Sequence, residues 1–218
     1  MGFDPTLHIN KPGIRDGILD WFQMLTGAGL LLFILAHMTA LSTVIISADL
    51  LNMVADKYEH LGVVHIGSAF VFILFIAHFL LAARKMPFRF GQVRTFHVHA
   101  KMLHHEDTWL WAVQVLTALL VLVFGVTHMW VVIADLPIIA AKSAERMQDG
   151  IWPLLYGVLL PAIVLHAAIG FYRLSIKFGM WSKRGRKAVK FLAMILTCAL
   201  FALGCAGLLG FMMLPVAG

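Results

Sequence analysis

Four of the chain's 11 histidines, His37, His78, His128 and His166, stand deep inside runs of residues otherwise fit for lipid. A titratable side chain in such a run is costly unless it faces a partner within the protein. A single histidine is served by one hydrogen bond to a neighbouring helix. Four of them, one on each of four successive apolar runs, suit a more specific chemistry. Imidazoles projecting in pairs from facing helices can bond one haem iron from both sides, each through one ring nitrogen while an acceptor holds the other N–H. His97, His99, His104 and His105 lie together in a basic segment without cysteines or a regular ligand spacing, so they are not read as a metal site. Cys198 and Cys205 read as small apolar fillers, and no C-x-x-C-H attachment motif occurs.

The elements that must hold these histidines follow from composition. The 218 residues are 61% hydrophobic and 13% charged, with a mean hydropathy of +0.89, a balance too apolar for a soluble domain of this size. Apolar runs at roughly 22–47, 60–85, 107–134, 152–178 and 188–213 each reach the about 20 residues that cross a bilayer. The expected fold is therefore all-α, a five-helix transmembrane bundle with two haems in its core, forming a single integral membrane domain over 1–218. The opening stretch has acidic residues and no short apolar core with a small-residue cleavage site, so the first span is expected to be retained. Pro5 and the Lys11, Pro12, Gly13 cluster mark an irregular tail before it, and Asp16 and Asp20 suit the start of the first helix, where a negative charge complements the helix dipole. Pro153 suits the start of the fourth span, and Pro161, in its interior, is expected to kink it.

A net charge of +6 raises the question of nucleic acid, but the position of the charges answers it. Two Lys or Arg precede the first span, five lie between the second and third and seven between the fourth and fifth, which puts 14 of 17 on one face. By the positive-inside rule that face is cytoplasmic, with the N-terminus inside and the C-terminus outside. It suits anionic lipid and the docking of a soluble partner. Given this orientation and a rise of about 1.5 Å per residue, His37 and His128 come out roughly 9–15 Å from the outer ends, and His78 and His166 roughly 21–27 Å. They form an outer pair and an inner pair. Gly27, Gly29, Gly67, Ala118 and Gly157 lie 8 to 11 residues from a histidine of their own span, at the depth of the other pair, where a bulky side chain would collide with a haem. The offsets imply centres about 12–16 Å apart.

With one candidate ligand on each of spans one to four, none on the fifth, a basic inner face and a glutamate just before the second span, the chain resembles the dihaem cytochrome b membrane anchor of succinate:quinone oxidoreductases. It is most similar to the single-subunit, five-helix anchor of bacterial menaquinol:fumarate reductases, over nearly its whole length. The resemblance implies a bacterial inner-membrane protein with two haem b groups and menaquinol as electron donor. It implies an iron-sulfur subunit docked on the cytoplasmic face and, through it, a flavoprotein subunit whose FAD interconverts fumarate and succinate, and it allows a dimer of that heterotrimer. FAD and iron-sulfur clusters would belong to the partners alone. His37 and His128 would ligate the outer haem iron, and His78 and His166 the inner one. Gln23, His105, Trp111 and Lys177 would face inner-haem propionates, and Arg146 an outer-haem propionate. Glu59 would accept a proton from quinol; read without the family it is an acidic residue at a helix N-terminus, favoured by the helix dipole. The family's buried glutamate two residues before the fourth ligand, used for proton movement, is here Val164. Other readings are a cytochrome b anchor for a hydrogenase or formate dehydrogenase, and a proton or metal transporter using a histidine relay. Internal repeats or intramembrane carboxylates would favour the transporter, and neither is evident.

Overall fold

A computed structural model describes residues 13–179, 182 and 185–215, apart from the side chains of His99 and Leu103. The irregular tail expected before residue 13 lies outside the described residues, as does the side chain of His99. The chain forms α1 (Ile14–Ser42, extended by a 3-10 turn Thr43–Ile45), α2 (Ala48–His60), α3 (Val63–Ala83), α4 (Phe90–Leu103), α5 (Glu106–Leu120), α6 (Val126–Ala134), α7 (Ala140–Gln148), α8 (Trp152–Lys177) and α9 (Arg186–Met213). A π-helical segment, Val121–Gly125, joins α5 to α6 without a break. Five continuous helical stretches, Ile14–Ile45, Val63–Ala83, Glu106–Ala134, Trp152–Lys177 and Arg186–Met213, are long and apolar enough to cross a membrane. No strand occurs among the described residues, and the fold is the all-α bundle expected.

The first span begins eight residues before the expected 22, which brings Asp16 and Asp20 into α1 itself. The acidic connection before the second span is also helical. Ser47 caps α2 by accepting from the Leu50 N–H at 3.0 Å, and Gly62, at φ 68°, closes its far end. That placement overturns the dipole reading of Glu59: the residue sits in the last turn of α2, at the negative end of the helix, where a carboxylate gains nothing from the backbone. Pro153 lies in the first turn of α8, and the helix continues through Pro161 to Lys177.

Packing puts α1 between α3 and α9, and α8 between α5 and α9. One apolar core, Met38, Leu160, Val164 and Leu200, joins α1, α8 and α9. A second, including Val44, Leu51, Ala144 and Phe211, seats α2 and α7 on the outer end of the bundle. Side chains such as Leu32, Ile73 and Trp130 are two-thirds exposed or more and point to where lipid would be. α9 approaches its neighbours through Gly204, Gly207 and Gly210. A Cβ at Gly204 would run into Leu160, and one at Gly210 would lie 2.5 Å from Val44 Cγ1. At the inner end Asp107 gathers three helices: its carboxylate accepts from the Tyr172 hydroxyl at 2.9 Å and from Arg186 at 3.3 Å.

Candidate functional site

α3 and α8 bring His78 and His166 together, with ring centroids 6.5 Å apart and ring planes at 89°. The outer pair, His37 on α1 and His128 on α6, has centroids 6.0 Å apart at 63°. Two imidazoles bonded through nitrogen to opposite sides of one metal ion, at about 2.0–2.1 Å each, have centroids roughly 6 Å apart whatever their rotation about the common axis. Both pairs meet that spacing, and the pairing is the one inferred from depth.

Hydrogen bonds fix which nitrogen of the inner rings is free. Thr26 Oγ1 donates its single proton to a backbone carbonyl, Phe22 O at 2.8 Å or Gln23 O at 3.1 Å. With that proton on the helix backbone, its oxygen accepts from His78 Nδ1, 3.0 Å away. His166 Nδ1 faces Gln114 O at 3.2 Å, and a carbonyl has no proton to give. Thr117 Oγ1 lies 3.4 Å from the same nitrogen and donates to Val113 O at 2.8 Å. Both inner histidines thus carry their proton on Nδ1, and each Nε2 keeps the lone pair a metal requires. In the outer pair, His128 Nδ1 lies 3.2 Å from the Tyr156 hydroxyl, and Phe33 stacks on His37 with centroids 5.4 Å apart.

Two helices give the same depth between the pairs. Thr26, against the inner pair, and His37, in the outer pair, are 11 residues apart on α1, and His166 and Tyr156 are 10 apart on α8. The spacings correspond to about 15–17 Å. The small residues differ in what they face. A Cβ on Gly27 would lie 2.9 Å from His78 Cε1, so this glycine is the wall against which the ring rests. One on Gly29 would meet Leu74 at 3.0 Å, one on Gly67 would meet only Val63 of its own helix, and one on Gly157 would meet nothing within 4 Å. Val164, 1% exposed, lies in the apolar core between α1, α8 and α9.

Among the other expected site residues, Glu59 is half-buried and lines an outer recess of about 470 Å³ with Asn52, Asp56 and Pro137–Ile139. Asn52 accepts from the Ala140 N–H at 2.8 Å, which ties this recess to the segment following α6 and hence to the His128 end of the bundle. Arg146, on α7, is 14% exposed and pairs with Asp135. Gln23 is half-buried, and Trp111 packs against Phe96 of α4 with centroids 4.6 Å apart. His105 caps α5, accepting from the Asp107 N–H at 3.3 Å with its side chain 59% exposed at the Asp107 end of the bundle. Lys177 binds Asp20, as do Lys85 and Arg84. Burial pushes the Lys85 ammonium below its ordinary lysine value, Asp20 opposes this and Lys177 adds to it.

Thr26, Gln114, Thr117 and Tyr156, which hold the histidine rings, and Asp20, which gathers the inner cations, have no motif that marks them in the sequence. The signal that was available is positional: Thr26 and Thr117 each precede a small residue, Gly27 and Ala118, already placed at haem depth.

Comparison with known proteins agrees with this architecture. The model of the family described as succinate dehydrogenase/fumarate reductase transmembrane subunit matches residues 92–205. The fumarate reductase cytochrome b subunit of Wolinella succinogenes is 34% identical over 200 residues, covering 85% of this chain and 78% of the relative. The subunit of the same name from Helicobacter pylori strain J99 is 35% identical over 185 residues, covering 80% of this chain and 71% of the relative. Residues on all five membrane helices and both histidine pairs thus sit in a chain that belongs to the succinate dehydrogenase/fumarate reductase transmembrane subunit family.

Proposed function

We propose that this protein is the cytochrome b membrane anchor of a quinol:fumarate reductase, carrying electrons from menaquinol near the outer face to an iron-sulfur subunit on the cytoplasmic face. The observation that carries the reading is the pair of cross-helix histidine couples, each with the centroid spacing of axial ligation and, in the inner couple, with both protons committed to Nδ1. When bound, two b-type haems supply one-electron carriers in series across the membrane. His37 and His128 would hold the outer haem, His78 and His166 the inner. Thr26, Gln114 and Thr117 orient the inner rings, and Tyr156 orients His128. Gln23, Trp111 and Lys177 lie on the inner side for propionates and Arg146 on the outer side, whereas the cap made by His105 favours a role in starting α5. Relatives named fumarate reductase cytochrome b subunits support the assignment to that complex.

Oxidation of quinol to quinone releases two electrons and two protons. Glu59, without help from a helix dipole and facing an outer recess, is the candidate proton acceptor. A flavoprotein partner would complete fumarate reduction, with FAD and iron-sulfur clusters confined to the soluble subunits.

Reduced-minus-oxidised spectra with a haem count test the reading. Two b haems per chain are expected. His37→Ala or His128→Ala should remove the outer haem preferentially and His78→Ala or His166→Ala the inner one; full haem content after any of these changes refutes that ligand. Glu59→Gln should keep both haems and slow menaquinol-driven turnover, while fumarate reduction from an artificial dye feeding the soluble subunits survives. Unchanged menaquinol-driven turnover would end the proton role of Glu59.

A further inference from the structure

Asp20 lies seven residues into α1, and its side chain is only 17% exposed. Three cations from two other helices' inner ends converge on it. Arg84 reaches Oδ1 at 3.1 Å, Lys85 shares that oxygen, and Lys177 takes Oδ2. Asp16, 60% exposed and 3.7 Å from Arg84, is the one further carboxylate within 4 Å of these cations among the described residues. Three positive charges against one enclosed negative charge leave the cluster cationic. Asp20 is six residues inward of Thr26, whose hydroxyl holds His78, and Arg84 is six residues inward of His78 itself. Each interval is about 9 Å along a helix axis. At that distance a partly buried charge still acts on a redox centre; Asp20 and Arg84, 17% and 27% exposed, are screened less than Lys85 and Lys177, which are nearly half exposed.

We propose that Asp20 is a positioning residue that sets the reduction potential of the inner haem. The proposal rests on the two-haem reading above. Ferric haem takes up one electron, arriving from the quinol side, and becomes one charge more negative. The cations Arg84, Lys85 and Lys177 stabilise the reduced form, and Asp20 subtracts from their field. It also holds them at the inner ends of α1, α3 and α8, on the side where propionates of an inner haem would add two further negative charges. The family reading supplies Lys177 as a propionate neighbour. The clustering of Arg84 and Lys85 with it around one shielded carboxylate makes the site a tuned charge balance rather than a single contact.

The experiment is an equilibrium redox titration of the purified complex, followed in the visible haem bands, with the inner wave identified as the one that His78→Ala lacks. Asp20→Asn keeps the shape of the side chain and removes its charge, so the inner midpoint potential should rise while the outer one stays in place. Arg84→Gln and Lys85→Gln remove charge of the opposite sign and should lower it. Arg84→Lys, which conserves charge, should restore the wild-type value. Shifts of opposite sign for the acidic and basic variants support an electrostatic role. An unchanged inner potential, or shifts of one sign in every variant as local disruption would give, overturns the proposal. If Asp20→Asn does not retain the inner haem, a lower potential in Arg84→Gln with recovery in Arg84→Lys supports it, and no such pattern overturns it. A wild-type protein without two haem waves overturns the two-haem reading instead.

Discussion

Thr26 is a small residue with a large stake in the inner site. Its hydroxyl proton is committed to the α1 backbone, so the oxygen left over is the acceptor that keeps the His78 proton on Nδ1. Thr26→Val preserves the shape and removes that acceptor, which weakens the hold on a buried N–H at a cost of about 1 kcal/mol. We expect the proposed inner haem to be released at lower temperature in Thr26→Val and at the wild-type temperature in Thr26→Ser, read by loss of Soret absorbance on heating. The outer haem should be indifferent to both changes. Gly27 makes a stricter demand, because a Cβ there would lie 2.9 Å from the His78 ring. Gly27→Val should displace the ring and empty the inner site, measured as the loss of one haem per chain by pyridine haemochrome assay.

Helices rather than single residues decide whether the histidines meet. α9 carries no histidine, yet it presses its glycine stripe against α1 and α8, two of the helices on which the pairs depend. Gly210 has no room for a side chain against Val44, whereas a Cβ at Gly207 would find Leu41 at an ordinary 3.6 Å. Gly210→Val should therefore overpack the interface and destabilise the protein by about 1–3 kcal/mol, with Gly207→Ala close to neutral. Thermal unfolding in detergent, compared between the two variants, checks this; equal midpoints would show that α9 can move aside. The π-helical turn Val121–Gly125 adds a second element-scale device. It widens the third span between Thr117, at the inner pair, and His128, at the outer pair, and so changes the phase with which the two positions face α8 and α1.

Across the whole molecule the charge distribution and the core combine. Under the proposed function, quinol oxidised near the outer face would release its protons there and send two electrons inward, and moving two charges against 100 mV would cost about 4.6 kcal/mol. A protonatable side chain in the middle of the bundle could cancel that movement. Val164 stands where the family resemblance leads one to expect a glutamate; it is 1% exposed, clusters with Met38, Leu160 and Leu200, and has no group that can take up a proton. We predict electrogenic turnover: sealed vesicles containing the complex and a potential-sensitive dye should develop a membrane potential during menaquinol-driven fumarate reduction. Turnover with no potential would point to a compensating proton path elsewhere. The orientation on which this depends is checked by labelling single cysteines at Asp56 and Lys187 from the two sides, the first reacting from outside and the second from the cytoplasm.

The sequence by itself determined the membrane class, the five spans, the pairing of the four histidines and their two depths. These follow from composition, from the length of apolar runs and from the rise of a helix, which are properties of consecutive residues. It did not determine the tautomer of the inner histidines, because Thr26 and His78 are 52 positions apart and nothing local announces their bond. Nor did it place the start of α1 at Ile14: Asp16 and Asp20 suited a helix start, but the apolar run that marks the span begins only near 22, and the partners of the charged first turns come from other helices. The placement of Glu59 inverted for the same reason: the acidic connection was expected to precede a helix, and it forms the end of one, capped by Ser47 and closed by Gly62. Asp20 is the fullest case. As a residue in a sequence it complements a helix dipole; only the packing of α3 and α8 against α1 brings Arg84, Lys85 and Lys177 to it, because charge clusters are set by distances in space that the order of residues does not contain.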